Sequence, residues 1–392
     1  MAAETEKAAP AQGHPKAVVT LLVIGTLLAF LAIFSIWANR QALNTDNWVS
    51  TSERLLQNEA VQERLSGYLA DQLFANVDVQ AELEGKLPAQ LRPLAGPAAG
   101  GLRQLAPQAA EKALANPKVQ EVWAGANRVA HEDLLKILND EGSAISTGNG
   151  EVKLDLGVLV ANIGSQIGIG EAIAEKIPAD AGEVTILKSD QLSAAQSGAK
   201  LVRGLPVVLT LLVLLLYGLA VYLAGPRRRQ ALRSVGFGFI VAGALALIAR
   251  GFAGDSVVGA LATNESAKPA AEAVWAIGTS LLVTVASSAI AFGVLVVIGA
   301  WLAGPTRSAT RLRREAAPYV REQRAATYAV AAGVYIVLVA WAPIAAFHKL
   351  IGLLLFALLL GLGTEVLRRQ TLREFPAAES PVPVTQPKGD SV

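Results

Sequence analysis

LPVVLTLLVLLLYGLAVYLAG, from Leu205 to Gly225, carries no charge and no Asn or Gln, and it runs into Pro226 and the triplet Arg227-Arg228-Arg229. At about 1.5 Å per residue its roughly 21 residues make about 31 Å of helix, against about 30 Å of bilayer hydrocarbon. A helix apolar on every side for that length belongs in a deep core or in lipid. The stretch reads as a membrane span, and its basic end belongs in the cytoplasm.

The rest of the chain agrees with that reading. Of 392 residues, 53% are hydrophobic and 17% charged, whereas soluble domains average about 25% charged. There is no cysteine, which excludes disulfides, thiolate catalysis and Cys-ligated zinc. The net charge of +2 does not argue for nucleic acid. Before the quoted stretch, residues 1–16 form a polar tail expected to be disordered, and Ala17–Ala38 is a first span. Its apolar run exceeds the about 7–15 residues of a signal peptide, and Ile36-Trp37-Ala38 is a poor cleavage match, so it reads as an uncleaved anchor. Trp37 falls at the outer interface.

Residues 39–204 read as an α-rich domain outside the membrane, with about 21 acidic and about 15 basic residues over 39–203. Asn44–Asn47 offers helix caps, Ser50 with Glu53 fits a capping box, and Asn58 caps a helix with Val61, Leu65, Leu69 and Leu73 on one face. Pro88–Gly101 reads as a loop or a join between short helices. From Asn116-Pro117 an amphipathic helix is expected, with Val119, Val122, Trp123, Ala126, Val129, Ala130, Leu134, Ile137 and Leu138 along its apolar side and Asp140–Gly142 at its end. Thr147–Gly150 is a turn signal. Glu151–Leu156 and Glu183–Leu187 are strand candidates able to pair, with one or two short helices over 156–178 between them. Ser189-Asp190 caps a helix that runs towards Leu205, where Pro206 predicts a kink unless the helix continues.

After Gly225 four more spans are expected, near 232–249, 273–303, 325–342 and 350–367. The fold class is therefore a mainly α membrane protein with six transmembrane helices and a small β element in the outer domain. With both termini inside, every basic cluster falls on one side: Arg227, Arg228 and Arg229; Arg311, Arg313 and Arg314; Arg368 and Arg369. The Pro-rich segment 374–392 reads as a disordered cytoplasmic tail. Leu223–Arg227 and Leu302–Arg307 share Leu-Ala-Gly-Pro, which suits either a duplicated hairpin or a common way of ending a helix at the inner surface.

No constellation carries chemistry. His14, His131 and His348 have no metal-ligand spacing, and His131 beside Glu132 and Asp133 reads as the polar side of its helix. There is no phosphate loop and no nucleophile elbow. The span cores lack ionisable groups, which disfavours ion-coupled transport; Arg250 and Glu272, at span ends, can pair or snorkel separately. Ser280, Thr284, Ser287 and Ser288 fit either a polar path or a small-residue packing face, and Gly236, Gly243, Gly352 and Gly361 fit the latter. Trp48 and Trp123 can stack on a ligand but also belong to apolar helix faces. Catalytic, cofactor-binding and metal-binding residues are accordingly read as none.

DNWVSTSERLL (46–56), VWAGANRVAHEDLL (122–135), STGNGEVKLDL (146–156), ILKSDQL (186–192), LAGPTR (302–307) and TEVLRRQTLREFP (364–376) carry a resemblance. Over most of 40–376 the chain resembles a family of uncharacterised multi-pass membrane proteins of high-GC actinobacteria, with a large helical extracytoplasmic loop after the first span. The resemblance implies those boundaries and no activity or site residues. Two functions follow as expectations. One is a non-enzymatic protein of the cell envelope whose outer domain binds an envelope protein or lipid; the other is a channel or facilitator built from spans two to six. An enzyme acting on lipid or peptidoglycan precursors has only scattered outer carboxylates behind it. Oligomeric state is not encoded in any of these features.

Overall fold

The computed structural model describes residues 15–139, 151–155, 183–262, 264–341 and 350–376. Of the expected disordered tails, 1–16 and 374–392, Pro15 and Lys16 instead open α1 and Glu374 closes the last helix, while 1–14 and 377–392 lie outside the described residues; so do the turn at 147–150, the helix end at 140–142, the short helices over 156–178, His14 and His348. The described chain is mainly helical. Its elements are α1 (Pro15–Ala42), α2 (Thr45–Leu56), α3 (Glu59–Asn76), α4 (Val79–Lys86), α5 (Ala95–Leu114), α6 (Pro117–Leu138), β1 (Glu151–Asp155) and β2 (Glu183–Lys188). There follow α7 (Ser189–Leu223), α8 (Arg228–Leu261), α9 (Lys268–Gly278), α10 (Ser280–Leu302), α11 (Arg307–Glu322), α12 (Arg324–Trp341) and α13 (Leu350–Glu374). The two strands pair antiparallel, Glu151 opposite Lys188 and Asp155 opposite Glu183, with an irregularity at Val152/Lys153.

Four stretches are long and apolar enough to cross a membrane: Pro15–Ala42, Ser193–Leu223, Gly225–Leu261 and Ser280–Leu302. Arg324–Val339 is a shorter apolar helix. These make the chain an integral membrane protein by length and composition.

Besides α8 and α13, which outrun the expected 232–249 and 350–367, the boundaries differ from the sequence reading in three places. The segment 88–101 is a turn, a single 3-10 turn at Arg92–Leu94 and then the start of α5, because Pro97 sits in the first helical turn, where its missing N–H costs nothing. Helix α2 begins at Thr45 with Asn44 as its cap, Asn44 Oδ1 accepting from Asn47 N at 2.9 Å, so Ser50 is interior to the helix. The run 273–303 is divided at Thr279 into α9 and α10.

Contacts sort the chain into two units. One comprises 25–215 and 241–286: most of α1, the helices α2–α6, the strands, the first part of α7, the end of α8, α9 and the start of α10. Within it α2 packs on α6, α3 on α5, α4 on α5, and α9 on both α2 and α3. The buried face of α3 is formed by Gln62, Ser66 and Ala70, while Leu69 and Leu73 beside them stay exposed.

The other unit comprises the start of α1, 216–240 and everything from 287 onward. Here α8 and α10 meet backbone to backbone. A Cβ on Gly236 would lie 2.8 Å from Gly293 O and one on Gly293 would lie 2.5 Å from Gly236 O, so only glycine fits at both positions. Tyr217, Phe239 and Phe292 form an edge-to-face chain at 5.2 Å per step. Helices α11, α12 and α13 pack on one another.

Candidate functional site

Among the described residues a polar joint connects α2, α6 and α9 with α1, α7, α8 and α10. It begins at the end of α1, whose last carbonyls have no intrahelical donors. Asn47 Nδ2 donates to Arg40 O at 3.1 Å, and His131 Nε2 lies 3.2 Å from Ala42 O. A carbonyl only accepts, so this network assigns the hydrogen to Nε2. Nδ1 is then the acceptor for the Thr45 hydroxyl at 3.1 Å. The imidazole stacks on Trp48 with centroids 5.0 Å apart and 23° between planes. His131 is 3% exposed.

The sequence reading put His131 on the polar side of α6, and the structure corrects it. The half-buried and buried line of α6 runs Gln120, Ala124, Asn127, His131, Leu135 and Leu138. The buried side of α6 keeps Val129 of the expected apolar stripe, with Ala126, Ile137 and Leu138 half-buried, and extends past that stripe to His131. Val119, Val122, Trp123 and Leu134 of the stripe are exposed. Burial of a histidine costs free energy unless its nitrogens are satisfied, and here both are. The joint is extended by Trp123 Nε1 donating to Ser52 Oγ at 2.7 Å and by an exposed ion pair, Arg128 to Asp46 at 2.9 Å.

At the other end of α6, Gln196 Nε2 donates to Ile137 O at 3.0 Å and Arg203 to Asn139 Oδ1 at 2.5 Å. Asn39 Nδ2 donates to Val202 O at 3.1 Å. Val202 is four residues before Pro206, so its carbonyl is the one that proline leaves without a donor. With Asn39 in that place, α7 continues through Pro206 as one helix, where the sequence left kink and continuation open.

The α9–α10 break is clamped in the same way. Thr279 is buried; its hydroxyl donates to Trp275 O at 2.6 Å and accepts from Arg250 Nε at 2.7 Å. Gly278, Thr279 and Ser280 are poor helix formers, and hydroxyls that bond to preceding carbonyls compete with the helical ladder. Trp37 Nε1 donates to Gly278 O at 3.3 Å, and Arg54 to Ser280 Oγ at 2.9 Å. Arg250 therefore bonds Thr279, and Glu272 is exposed. On α8, a Cβ at Gly254 would come within 2.6 Å of Trp275 Nε1, so glycine there lets the indole approach.

Of the four small polar residues expected on a path or packing face, Ser280 sits in this clamp and its own hydroxyl donates to Ile277 O at 2.8 Å. Thr284 is exposed and donates to Ser280 O at 3.1 Å. Ser287 is exposed and Ser288 half-buried.

The basic residues separate into paired and unpaired sets. Arg313 is 4% exposed: it bonds Gly304 O at 2.9 Å and Leu302 O, closing the end of α10, and pairs with Glu374 at 2.8 Å. Gln370 Nε2 bonds Ala303 O at 3.0 Å and Glu374 Oε1 at 2.7 Å. Arg368 and Arg369 both pair with Glu365, which also accepts from Tyr328 Oη at 2.6 Å. Arg311 pairs with Glu315 at 3.3 Å, and Arg314 lies over the Phe375 ring at 5.6 Å. Arg227, Arg228 and Arg229 are exposed, Arg228 lying 5.8 Å from the Tyr222 ring centroid.

The arrangement ties helices to one another: most polar side chains of the joint bond carbonyls and hydroxyls, and both nitrogens of His131 are engaged, by Ala42 O and the Thr45 hydroxyl. Among the described residues no group of three His, Asp or Glu is placed to hold a metal. Compared with protein-family models, curated proteins and solved structures, the chain matches none.

Proposed function

We propose that this is a non-enzymatic integral membrane protein of the cell envelope. Residues 39–204 lie outside the cell membrane, both termini are cytoplasmic, and α1, α7, α8, α10, α12 and α13 are the six spans. The outer domain binds an envelope protein or lipid, and the joint passes its displacement to the spans. The observation that carries the reading is the exposed line Val119, Val122, Trp123 and Leu134, on the same helix that places His131 in the joint. Apolar side chains left in water along one helix mark an interaction surface. Sidedness is supported by the make-up of the unit containing 216–240. It collects the start of α1, the end of α7, the start of α8 and the end of α10 together with every arginine cluster named above. The engagement of Ser280 and the exposure of Thr284 and Ser287 favour this reading over the facilitator. We also infer kinship with the actinobacterial multi-pass family, on the motifs quoted.

A photo-crosslinking residue at Val122 or Leu134 tests the surface in living cells. A discrete adduct is expected from both positions and none from Gly85. Equal labelling at all three, or none at the first two, rejects the partner surface.

A further inference from the structure

The turn between α7 and α8 is built around Gly225, whose φ of 52° is the left-handed conformation that ends a helix. Pro226 follows, and a single 3-10 turn, Gly225–Arg227, reverses the chain into α8. Between this turn and the first turns of α1 is a crevice of about 490 Å³. Val18, Val19 and Leu22 form one wall, Ala231 the opposite side, and Arg227 and Gln230 stand with them as its polar part. The volume falls in the range of about 300–1,000 Å³ typical of small-molecule sites.

Charge separates this place from the other basic clusters. Arg311, Arg313, Arg368 and Arg369 each have a carboxylate of the chain as partner. Arg227 and Arg228 have none within ion-pair distance among the described residues, the charge of Arg229 acts on Glu374, and the crevice lining includes no acidic side chain. Both walls belong to helices of membrane-spanning length and apolarity, so the cluster stands where hydrocarbon gives way to water. A ligand fitting that gradient has an anionic head and an aliphatic body. The guanidinium fork matches a phosphate geometrically, and basic pockets between spans are suited to anionic head groups.

We propose that the crevice between the start of α1 and the α7–α8 turn binds an anionic phospholipid of the surrounding leaflet. The phosphate sits against Arg227, the basic side chain of the lining, with Arg228 and Arg229 adding charge beside it, and one acyl chain lies along Val18, Val19 and Leu22. The site rests on the membrane reading given above.

Native mass spectrometry of the detergent-purified full chain, offered phosphatidylglycerol or phosphatidylethanolamine, tests it. Wild type is expected to keep phosphatidylglycerol where phosphatidylethanolamine is lost. Arg227→Gln with Arg229→Gln should weaken that preference about tenfold, while Arg311→Gln with Arg314→Gln leaves it unchanged. Val19→Trp, at an exposed wall position, should remove the bound lipid with all arginines present. Equal retention of the two lipids by wild type overturns the proposal. So does an unchanged preference in the Arg227/Arg229 variant or in Val19→Trp, or an equal loss in the Arg311/Arg314 control. Alkaline carbonate extraction separates the two levels: release of the chain overturns the membrane reading, whereas retention combined with any of those failures overturns the crevice alone.

Discussion

His131 satisfies one acceptor and one donor at once. Ala42 O ends a helix and has no donor of its own, and Thr45 Oγ1 opens the next helix beside it. An imidazole with one donating and one accepting nitrogen serves both, and its flat face lies against Trp48. His131→Phe keeps the ring and the stacking but leaves the carbonyl and hydroxyl unsatisfied, so unfolding in detergent should become easier by about 1–3 kcal/mol. His131→Gln, with a donor and an acceptor at similar reach, should recover part of that. A phenylalanine variant as stable as wild type in a thermal melt would mean the hydrogen bonds contribute nothing net. None of this was legible from sequence. Glu132 and Asp133 next to His131 look like a solvated face, whereas the buried side of α6 includes both Val129 and the histidine. Gly236 was legible as a packing glycine, but its partner Gly293 was not, because a single sequence does not say which helices cross.

At the scale of elements, the continuity of α7 and the closure of α10 both depend on side chains from elsewhere. Pro206 removes the donor for Val202 O, and Asn39 of α1 replaces it. Asn39→Ala should therefore destabilise by about 1–3 kcal/mol, the cost of an unsatisfied buried carbonyl. In a Pro206→Ala background the helix supplies its own N–H, and the same substitution should then cost little. A double-mutant cycle with no coupling would refute the pairing. Arg313 closes α10 in the analogous way, with its guanidinium on two carbonyls and on Glu374. Burial pushes the Glu374 carboxyl up, but hydrogen bonds from Gln370 and Arg313 and the charges of Arg313 and Arg229 outweigh it, so the group lies below its ordinary value. A depressed folded value gives stability that is present above the ordinary carboxylate range, about 4.3, and lost as pH falls through the folded value. Glu374→Gln should therefore lower the melting temperature at pH 7, and the gap to wild type should close towards pH 3. A gap that stays constant with pH would show that the ionised pair is not what holds α11 to α13. The sequence made both arginine and glutamate visible, one as a topology signal and the other as part of a helix. It did not make the ion pair visible, since 61 residues separate them.

At the scale of the whole molecule span length was legible, because apolarity is a local property of a chain, whereas pairing is not. Apolar runs set four membrane-length helices directly, and α2, α3 and α6 followed from Asn44, Asn58 and Asn116, each of which caps its helix. The break at Thr279 was missed because its cause is a clamp by Trp37, Arg54 and Arg250 from three other helices. Sidedness itself is testable without background, since the chain has no cysteine of its own. Gly85→Cys lies in the helical domain and Ser308→Cys beside the arginines of α11, both at exposed positions. On intact cells an impermeant maleimide should label the first and leave the second untouched until the membrane is permeabilised. Labelling of Ser308→Cys alone would invert the topology, and with it the assignment of an outer domain. Labelling of both would place the two segments on one side, which requires an even number of crossings between them where α7, α8 and α10 provide three, and would remove at least one of those three helices from the membrane.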